Sequence, residues 1–322
     1  MRLVAFVLVI AGAFVAWGAE VLSDPPTLPS PVPDSDWQSL YESGDPELQA
    51  SLQKALNARS EWKSLIRKKK MAVGVVDLSS IDEPRFARVN GSVMMYAASL
   101  PKIAILLAVY QAFEDGTVAE TEDIHADLAA MIRTSSNSAA TRMIDLVGFD
   151  KIEEVLTDPR YEFYDPDRGG GIWVGKRYAK TGNRVGDPIA DISHAATATQ
   201  ACRFYYLLVT GRIISPERSR QMLDDLSHPG LHHKFVSVLE KRAPMARLFR
   251  KSGSWKNWHS DSILVWGPTW RRYILVAMVE SPNGETIMRQ LVPVVEELLH
   301  PVPAPEASPT AAPVVETAID GR

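Results

Sequence analysis

Ser99 and Lys102 combine a hydroxyl and an amine at the start of the apolar stretch YAASLPKIAIL, residues 96–106. Residues spaced in this way share one face of a helix, so the two side chains are expected to be neighbours. A serine attacks a carbonyl only when a neighbour takes its proton, and a desolvated lysine can do so. The free N–H groups of a helix start favour a developing oxyanion. The pair predicts a nucleophilic serine; the alternative is a helix cap followed by a solvated lysine.

Two further polar groups follow in the chain. Ser135, Ser136 and Asn137 interrupt an apolar, helical pattern, and Lys251–Gly253 is placed just before the final strands. Each group alone is typical of a cap, a turn or a loop. The occurrence of both groups after Ser99, in this order, is a far more specific signal of function than either group alone.

The three motifs together resemble S-x-x-K, S-D-N and K-T-G of the serine β-lactamase and penicillin-binding-protein superfamily, and class A β-lactamases in particular. The resemblance covers roughly residues 60–298. It implies that Ser99 becomes acylated, that Lys102 accepts or relays the proton, and that Ser135 passes it to the leaving nitrogen.

The resemblance also implies a set of substrate-binding residues. Asn137 would hold the side-chain amide of the substrate, and Lys251 and Ser252 of the K-S-G motif, which ends at Gly253, would bind its carboxylate. The backbone N–H groups of Ser99 and Ser254 would form the oxyanion hole.

Three departures from the family pattern bear on function. Ser136 replaces the aspartate of S-D-N, and the short interval from Ser99 to Ser135 predicts an open cleft. The E-x-x-L-N sequence, which in class A enzymes holds the deacylation base, is absent. Glu162, Asp165 and Asp167 are the candidate bases; the alternative is that they are surface acids and that the acyl group leaves slowly. Lys176 and Tyr178 in the same stretch are candidate cleft residues.

The elements that must position these residues predict a mixed α/β protein. Residues 71–78, 261–266 and 271–280 are predicted strands, a closing helix follows them, and residues 99–240 are mostly helical in pattern. We therefore expect a β-lactamase/transpeptidase-like fold, in which N- and C-terminal strands form an antiparallel sheet flanked by helices, with an inserted helical subdomain.

The chain divides into four predicted segments. Residues 1–19 are a signal peptide or an uncleaved membrane anchor, residues 20–44 a proline-rich linker, residues 45–300 the catalytic domain, and residues 301–322 a disordered Pro/Ala-rich tail. The protein is therefore expected to be exported to the periplasm or secreted; the alternative is attachment to the membrane. Cys202, the single cysteine, is predicted to be a packed core thiol.

The formal net charge of -4 gives no electrostatic basis for nucleic-acid binding. We expect a monomer with no metal and no cofactor, acting on a β-lactam or a peptidoglycan stem peptide. The first hypothesis is a class A-like β-lactamase. The alternatives are a penicillin-binding D-Ala-D-Ala carboxypeptidase and a non-catalytic cell-envelope binding protein.

Overall fold

The computed structural model describes residues 25–268 and 270–301. The predicted signal peptide or anchor, residues 20–24 of the predicted linker and residues 302–322 of the predicted tail lie outside the described residues. Within the described part of the chain, no helix is both long and apolar enough to cross a membrane.

A five-stranded antiparallel sheet in the order β2-β1-β10-β9-β8 forms the centre of the protein. Its strands are β1 (Met71–Asp77), β2 (Arg85–Val89), β8 (Arg247–Trp255), β9 (Trp258–Trp266) and β10 (Arg272–Glu280). The predicted assembly of N- and C-terminal strands into one sheet is confirmed.

Strand β8 corrects the expectation that Lys251–Gly253 stands just before the final strands. The motif is in the second half of this edge strand, paired with β9. The consecutive polar residues there are typical of a loop by pattern. They form a strand here because their backbone pairs with β9, and Lys251 Nζ donates to Oγ of Ser135 inside the protein.

Helices cover both faces of the sheet because successive strand residues point to opposite sides. Val73, Val75 and Leu275 belong to a core with α1 (Pro46–Asn57), α2 (Ser60–Arg67), α8 (Phe235–Arg242) and α9 (Gly284–Leu299). Ala72 and Val76 belong to the larger core on the other face, which contains the inserted helices.

The insertion carries most of the helices. They are α3 (Lys102–Glu114), α4 (Glu122–Arg133), α5 (Asn137–Thr157), α6 (Ala198–Val209) and α7 (Pro216–Leu226). Short strands interrupt them: β3 (Met95–Tyr96), β4 (Tyr164–Asp165), β5 (Gly170–Gly171), β6 (Trp173–Val174) and β7 (His194–Ala196). Nearly every residue of α3 is buried, so this helix forms the centre of the subdomain.

Two helices begin at side-chain caps of the residue types that commonly provide them, and the predicted environment of Cys202 is confirmed. Asp45 caps α1 by accepting a hydrogen bond from the N–H of Leu48 at 2.6 Å, and Ser215 caps α7 in the same way. Cys202 is a buried free thiol on α6, and burial raises its pKa.

Residues 25–44 differ from a free linker. Trp37 stacks on Tyr206 with ring centroids 6.1 Å apart, the indole N–H of Trp266 donates to the carbonyl of Pro26 at 2.7 Å, and Leu40 is buried. The proline-rich composition predicted an extended segment, but apolar residues within it pack against the domain.

Candidate active site

Ser99 lies in the turn that precedes α3, half-buried, and the α-helix itself begins at Lys102. Ser99 was expected in the first turn of the helix, but it lies a few residues before the helix begins. Ala98 before it has a φ of 50°, an unusual conformation for a residue with a side chain. Its carbonyl accepts a hydrogen bond from the hydroxyl of Tyr178 at 3.1 Å, which fixes the turn that carries Ser99.

Lys102 is completely buried at the base of the site. Its Nζ donates to the carbonyl of Ser135 at 2.7 Å and to Oδ1 of Asn137 at 2.8 Å, and lies 3.4 Å from Oγ of Ser135. These contacts are with the 135–137 segment rather than with the Ser99 hydroxyl. Burial lowers the pKa of Lys102 to about 7, so near neutral pH a large fraction of the amine is unprotonated and can accept a proton.

Ser135 connects this amine to a second lysine. Lys251 Nζ donates to Oγ of Ser135 at 2.9 Å and to the carbonyl of Ser252 at 2.9 Å. Burial, followed by the nearby charge of Lys102, holds the pKa of Lys251 well below its ordinary value. The Ser135 hydroxyl therefore lies between two amines, a geometry that suits proton relay.

Ser136 explains how the segment tolerates the loss of the aspartate in S-D-N. It is the N-cap of α5, and its Oγ accepts from the N–H of Ala139 at 3.2 Å. A serine satisfies this cap as well as an aspartate does.

Strand β8 passes unusually close to the turn of Ser99 at Gly253. A Cβ placed there would lie 2.3 Å from the carbonyl oxygen of Ala97 and 2.5 Å from the backbone nitrogen of Ser99. Only glycine permits this approach. Ser254 follows on the edge strand and lines the cleft, so the two backbone N–H groups predicted to form the oxyanion hole, those of Ser99 and Ser254, belong to adjacent segments.

One charged residue behind β8, Lys234, was not identified as part of the site from the sequence. Lys234 is fully buried and donates to the carbonyls of Gly253 at 2.6 Å and Ser260 at 3.0 Å. Beside it, Arg250 pairs with Asp261 at 2.6 Å. In the sequence Lys234 follows two histidines in an apparent turn, and no local pattern marks it as buried.

The cleft at Ser99 has a volume of about 560 Å³ and contains the predicted residues Lys176 and Tyr178. Its lining residues are Tyr96, Ala98, Ser99, Asn137, Lys176, Arg177, Tyr178, Ala179, Lys180, Ser193, His194, Ser254 and Trp255. No Asp or Glu is among these lining residues of the described chain.

Tyr178 and His194 occupy the floor near Lys102. The ring of Tyr178 covers Lys102 Nζ at 4.5 Å and packs on His194 with centroids 4.3 Å apart. His194 Nε2 lies 2.9 Å from the carbonyl of Lys176, and burial lowers the pKa of the imidazole to about 4. The ring is therefore neutral at ordinary pH.

The three candidate deacylation bases lie elsewhere. Asp165 accepts from the N–H of Asp167 at 2.9 Å and pairs with Arg168 at 3.1 Å. Glu162 is in a turn with a φ of 48°, and its carbonyl accepts from Arg203. Together with the exposed Asp167, they form part of the β4–β5 region and do not line the cleft.

The sequence matches the beta-lactamase enzyme family over residues 52–129 and 125–295, more than half of the chain. The chain belongs to the beta-lactamase enzyme family. It is therefore a serine β-lactamase-like hydrolase by family, as the three motifs predict. No curated protein matches the chain significantly.

Solved structures of the superfamily share the fold at low identity. A β-lactamase from Sphaerobacter thermophilus is 18% identical with a TM-score of 0.61, covering 79% of this chain and 98% of its own. PBP-A is 18% identical with a TM-score of 0.56, covering 84% and 98%. A PBP-A variant in an acyl-enzyme complex with penicillin G is 19% identical with a TM-score of 0.58, covering 79% and 96%. The predicted fold is confirmed.

Proposed function

We propose that this protein is a penicillin-binding D-Ala-D-Ala peptidase that forms an acyl-enzyme on Ser99 and releases β-lactam acyl groups slowly. The observation that carries the proposal is that, within the described residues, no carboxylate is among the hydrogen-bond partners of Lys102 or in the lining of the cleft. A class A-like β-lactamase, the first hypothesis from the sequence, needs such a base for rapid deacylation.

Acylation uses the groups gathered around Ser135. Ser99 Oγ attacks the carbonyl carbon of the penultimate D-alanine, and Lys102 receives the serine proton in its unprotonated form. Through the Ser135 hydroxyl, in contact with both lysines, a proton reaches the leaving nitrogen. The C–N bond breaks, the terminal D-alanine leaves as an amine, and Ser99 keeps the acyl group as an ester.

Deacylation reverses these proton movements with water as the nucleophile. We assign deacylation to the same base, Lys102, whose amine is covered by the ring of Tyr178. The candidate acids Glu162, Asp165 and Asp167 do not line the cleft, so we expect water to be activated without a carboxylate. A long-lived penicilloyl ester is the expected consequence.

Intact-protein mass spectrometry over time after addition of benzylpenicillin tests the proposal. We expect one covalent adduct that persists, and no adduct in the Ser99→Ala variant. An adduct that forms and disappears rapidly with turnover would instead identify a β-lactamase. A folded protein that is never acylated by benzylpenicillin or by a D-Ala-D-Ala peptide would identify a binding protein without catalysis.

The proposed substrate also implies a location outside the cytoplasm, where peptidoglycan is assembled. The apolar residues 3–17 support export. Cell fractionation with an antibody against the folded domain tests this: recovery of the protein in the cytoplasmic fraction alone would contradict it.

A further inference from the structure

Two ammonium groups on one wall of the cleft have no assigned role. Lys176 and Lys180 both line the cleft beside Ser99, and within residues 25–268 and 270–301 neither side chain forms an ion pair. Arg177 between them pairs instead with Asp145, and Arg184 pairs with Asp191. Two cations are therefore left facing the cleft.

The fold holds this wall in place. The backbone of Lys176 bridges Arg184, its carbonyl contacts His194, and the N–H of Gly175 donates to the carbonyl of Ser193 at 2.8 Å. The backbone of Lys176 is consequently fixed next to Tyr178 and the nucleophile. Lysine side chains on such an anchored segment can reach a ligand without a large change of the backbone.

The electrostatics of the cleft are opposite to those of the whole chain. The chain has a formal net charge of -4, yet the described cleft lining contains Lys176 and Lys180, together with Arg177 whose partner is Asp145, and no acid. Concave surfaces lined by one sign of charge concentrate the field and attract ligands of the other sign. The lysine of the K-S-G motif, Lys251, is buried below this surface and does not account for the wall.

We propose that the cleft selects substrates whose acyl side chain carries a negative charge, with Lys176 and Lys180 as its counter-ions. This inference rests on the proposed acylation of Ser99. Asn137, which the family resemblance assigns to the side-chain amide, lines the same cleft as both lysines. A carboxylate that pairs with the two lysines would therefore belong to the part of the substrate beyond that amide, as in an acidic stem peptide.

Carbenicillin and benzylpenicillin provide the test, because they differ by one carboxylate on the side chain. We expect the second-order rate of Ser99 acylation to be about threefold to tenfold higher for carbenicillin at low salt. Raising the ionic strength to about 1 M should bring the ratio of the two acylation rates close to one, because salt screens the attraction between the lysines and the carboxylate.

Variants assign the effect to the two lysines. Lys176→Gln with Lys180→Gln should bring the carbenicillin-to-benzylpenicillin ratio to about one, and Lys180→Glu should lower it further. Lys241→Gln, an exposed lysine on α8, is the matched control and should keep the wild-type ratio. Equal rates for the wild type, or an unchanged ratio in both cleft variants, would overturn the inference. Failure of both penicillins to acylate a folded protein would instead overturn the proposed function.

An independent observation concerns the peptide bond between Gly253 and Ser254. Lys234, fully buried, donates to the carbonyl of Gly253 at 2.6 Å. That carbonyl and the N–H of Ser254 belong to one planar, conjugated amide. A charged donor on the oxygen draws electron density toward it and makes the N–H a stronger donor, as in any chain of cooperative hydrogen bonds.

We infer that Lys234 is a positioning residue that strengthens the Ser254 N–H as an oxyanion donor. This second inference also rests on the proposed acylation of Ser99. The two hydrogen-bond acceptors of its amine, the carbonyls of Gly253 and Ser260, belong to residues that do not line the cleft. Its effect should therefore appear in the transition state rather than in substrate binding.

Acylation kinetics and infrared spectra of the acyl-enzyme test this role. Lys234→Met should lower the limiting acylation rate about tenfold to 100-fold with little change in the half-saturating concentration, and should shift the ester carbonyl stretch to higher frequency. Lys234→Gln, which keeps a neutral donor, should give an intermediate shift and covers the case in which Lys234→Met does not fold. An unchanged carbonyl frequency in a folded variant would overturn the inference. The exposed Lys241→Met is the control.

Discussion

Lys102 shows how burial changes the chemistry of a single side chain. None of its surface is exposed, and no carboxylate is among its hydrogen-bond partners, which are carbonyl, amide and hydroxyl oxygens. An ammonium without a counter-ion in such a place loses its proton more readily than in water. The same residue exposed to water would keep its proton and could not act as a base.

The rate of acylation should follow this titration. Lys102, with a pKa lowered to about 7, is protonated below that pH and cannot accept the proton of Ser99, so the rate of penicillin acylation should rise as the pH passes through about 7. Loss of the Lys251 proton, which burial makes easier by lowering its pKa, should weaken the hold on the substrate carboxylate and so raise the half-saturating concentration.

Stopped-flow measurement of acylation from pH 5 to pH 10 at constant ionic strength would show this profile. Lys102→Arg keeps the charge without a usable base and is the matched variant. A rate for the wild type that is independent of pH through neutrality would contradict the role of Lys102.

Tyr178 is the residue that covers Lys102 on the floor of the cleft. Its ring lies 4.5 Å from Lys102 Nζ, and its side chain lines the cleft. Tyr178→Glu should therefore place a base beside the ester and speed deacylation by about 100-fold or more. Tyr178→Gln, which has the same length and no charge, is the control. Adducts with equal lifetimes in the two variants, followed by mass spectrometry, would count against this explanation of slow release.

Strand β8 is the element that brings the motifs together. It is an edge strand, so one side of it is free to face the cleft, and Gly253 lets its backbone approach the turn of Ser99. The sequence shows a glycine after Lys251 and Ser252 but does not show which backbone it approaches.

Gly253→Ala should separate these two segments. Its Cβ would lie 2.3 Å from the carbonyl oxygen of Ala97, which is backbone and cannot rotate away, so the strand must move. Displacement of the oxyanion N–H of Ser254 should lower the acylation rate by about 100-fold to 1,000-fold.

Gly44→Ala is the matched control for this substitution, because nothing lies within 4 Å of a Cβ at that position. It should acylate as the wild type does. A Gly253→Ala protein that is folded by circular dichroism and acylated at the normal rate would show that the close approach has no catalytic importance.

The stability of the whole molecule depends in part on an ion pair in its interior. Arg250 and Asp261 are almost completely buried on neighbouring strands, and Asp261 also accepts from the N–H of Phe235 at the start of α8. Removing one partner leaves the other charge uncompensated.

Asp261→Asn should lower the free energy of unfolding by about 3–5 kcal/mol. Asp34→Asn breaks an ion pair with Arg212 in which the aspartate is 95% exposed, and should cost about 1 kcal/mol or less. Urea denaturation of the two variants measures the difference. Equal losses would indicate that Asp261 contributes only at the level of a surface pair.

The sequence by itself determined the family motifs and their order along the chain. Ser99 with Lys102, the Ser135–Asn137 group and the K-S-G motif are recognisable because the residues within each motif are closely spaced, and apolar runs located three of the five strands of the central sheet. Caps such as Asp45 are local in the same sense.

Only the tertiary structure decided which other residues share the site. Lys234 comes to the site from the segment just before α8, and Lys180 from the segment that carries the predicted Tyr178. Glu162, Asp165 and Asp167 are kept away from the cleft although they are near Tyr178 in the sequence. Burial, the lowered pKa of Lys102 and the approach of Gly253 to Ser99 arise from packing between residues far apart in the chain. Such contacts leave no periodic or local signal, because they depend on how the sheet and the inserted helices close around one another.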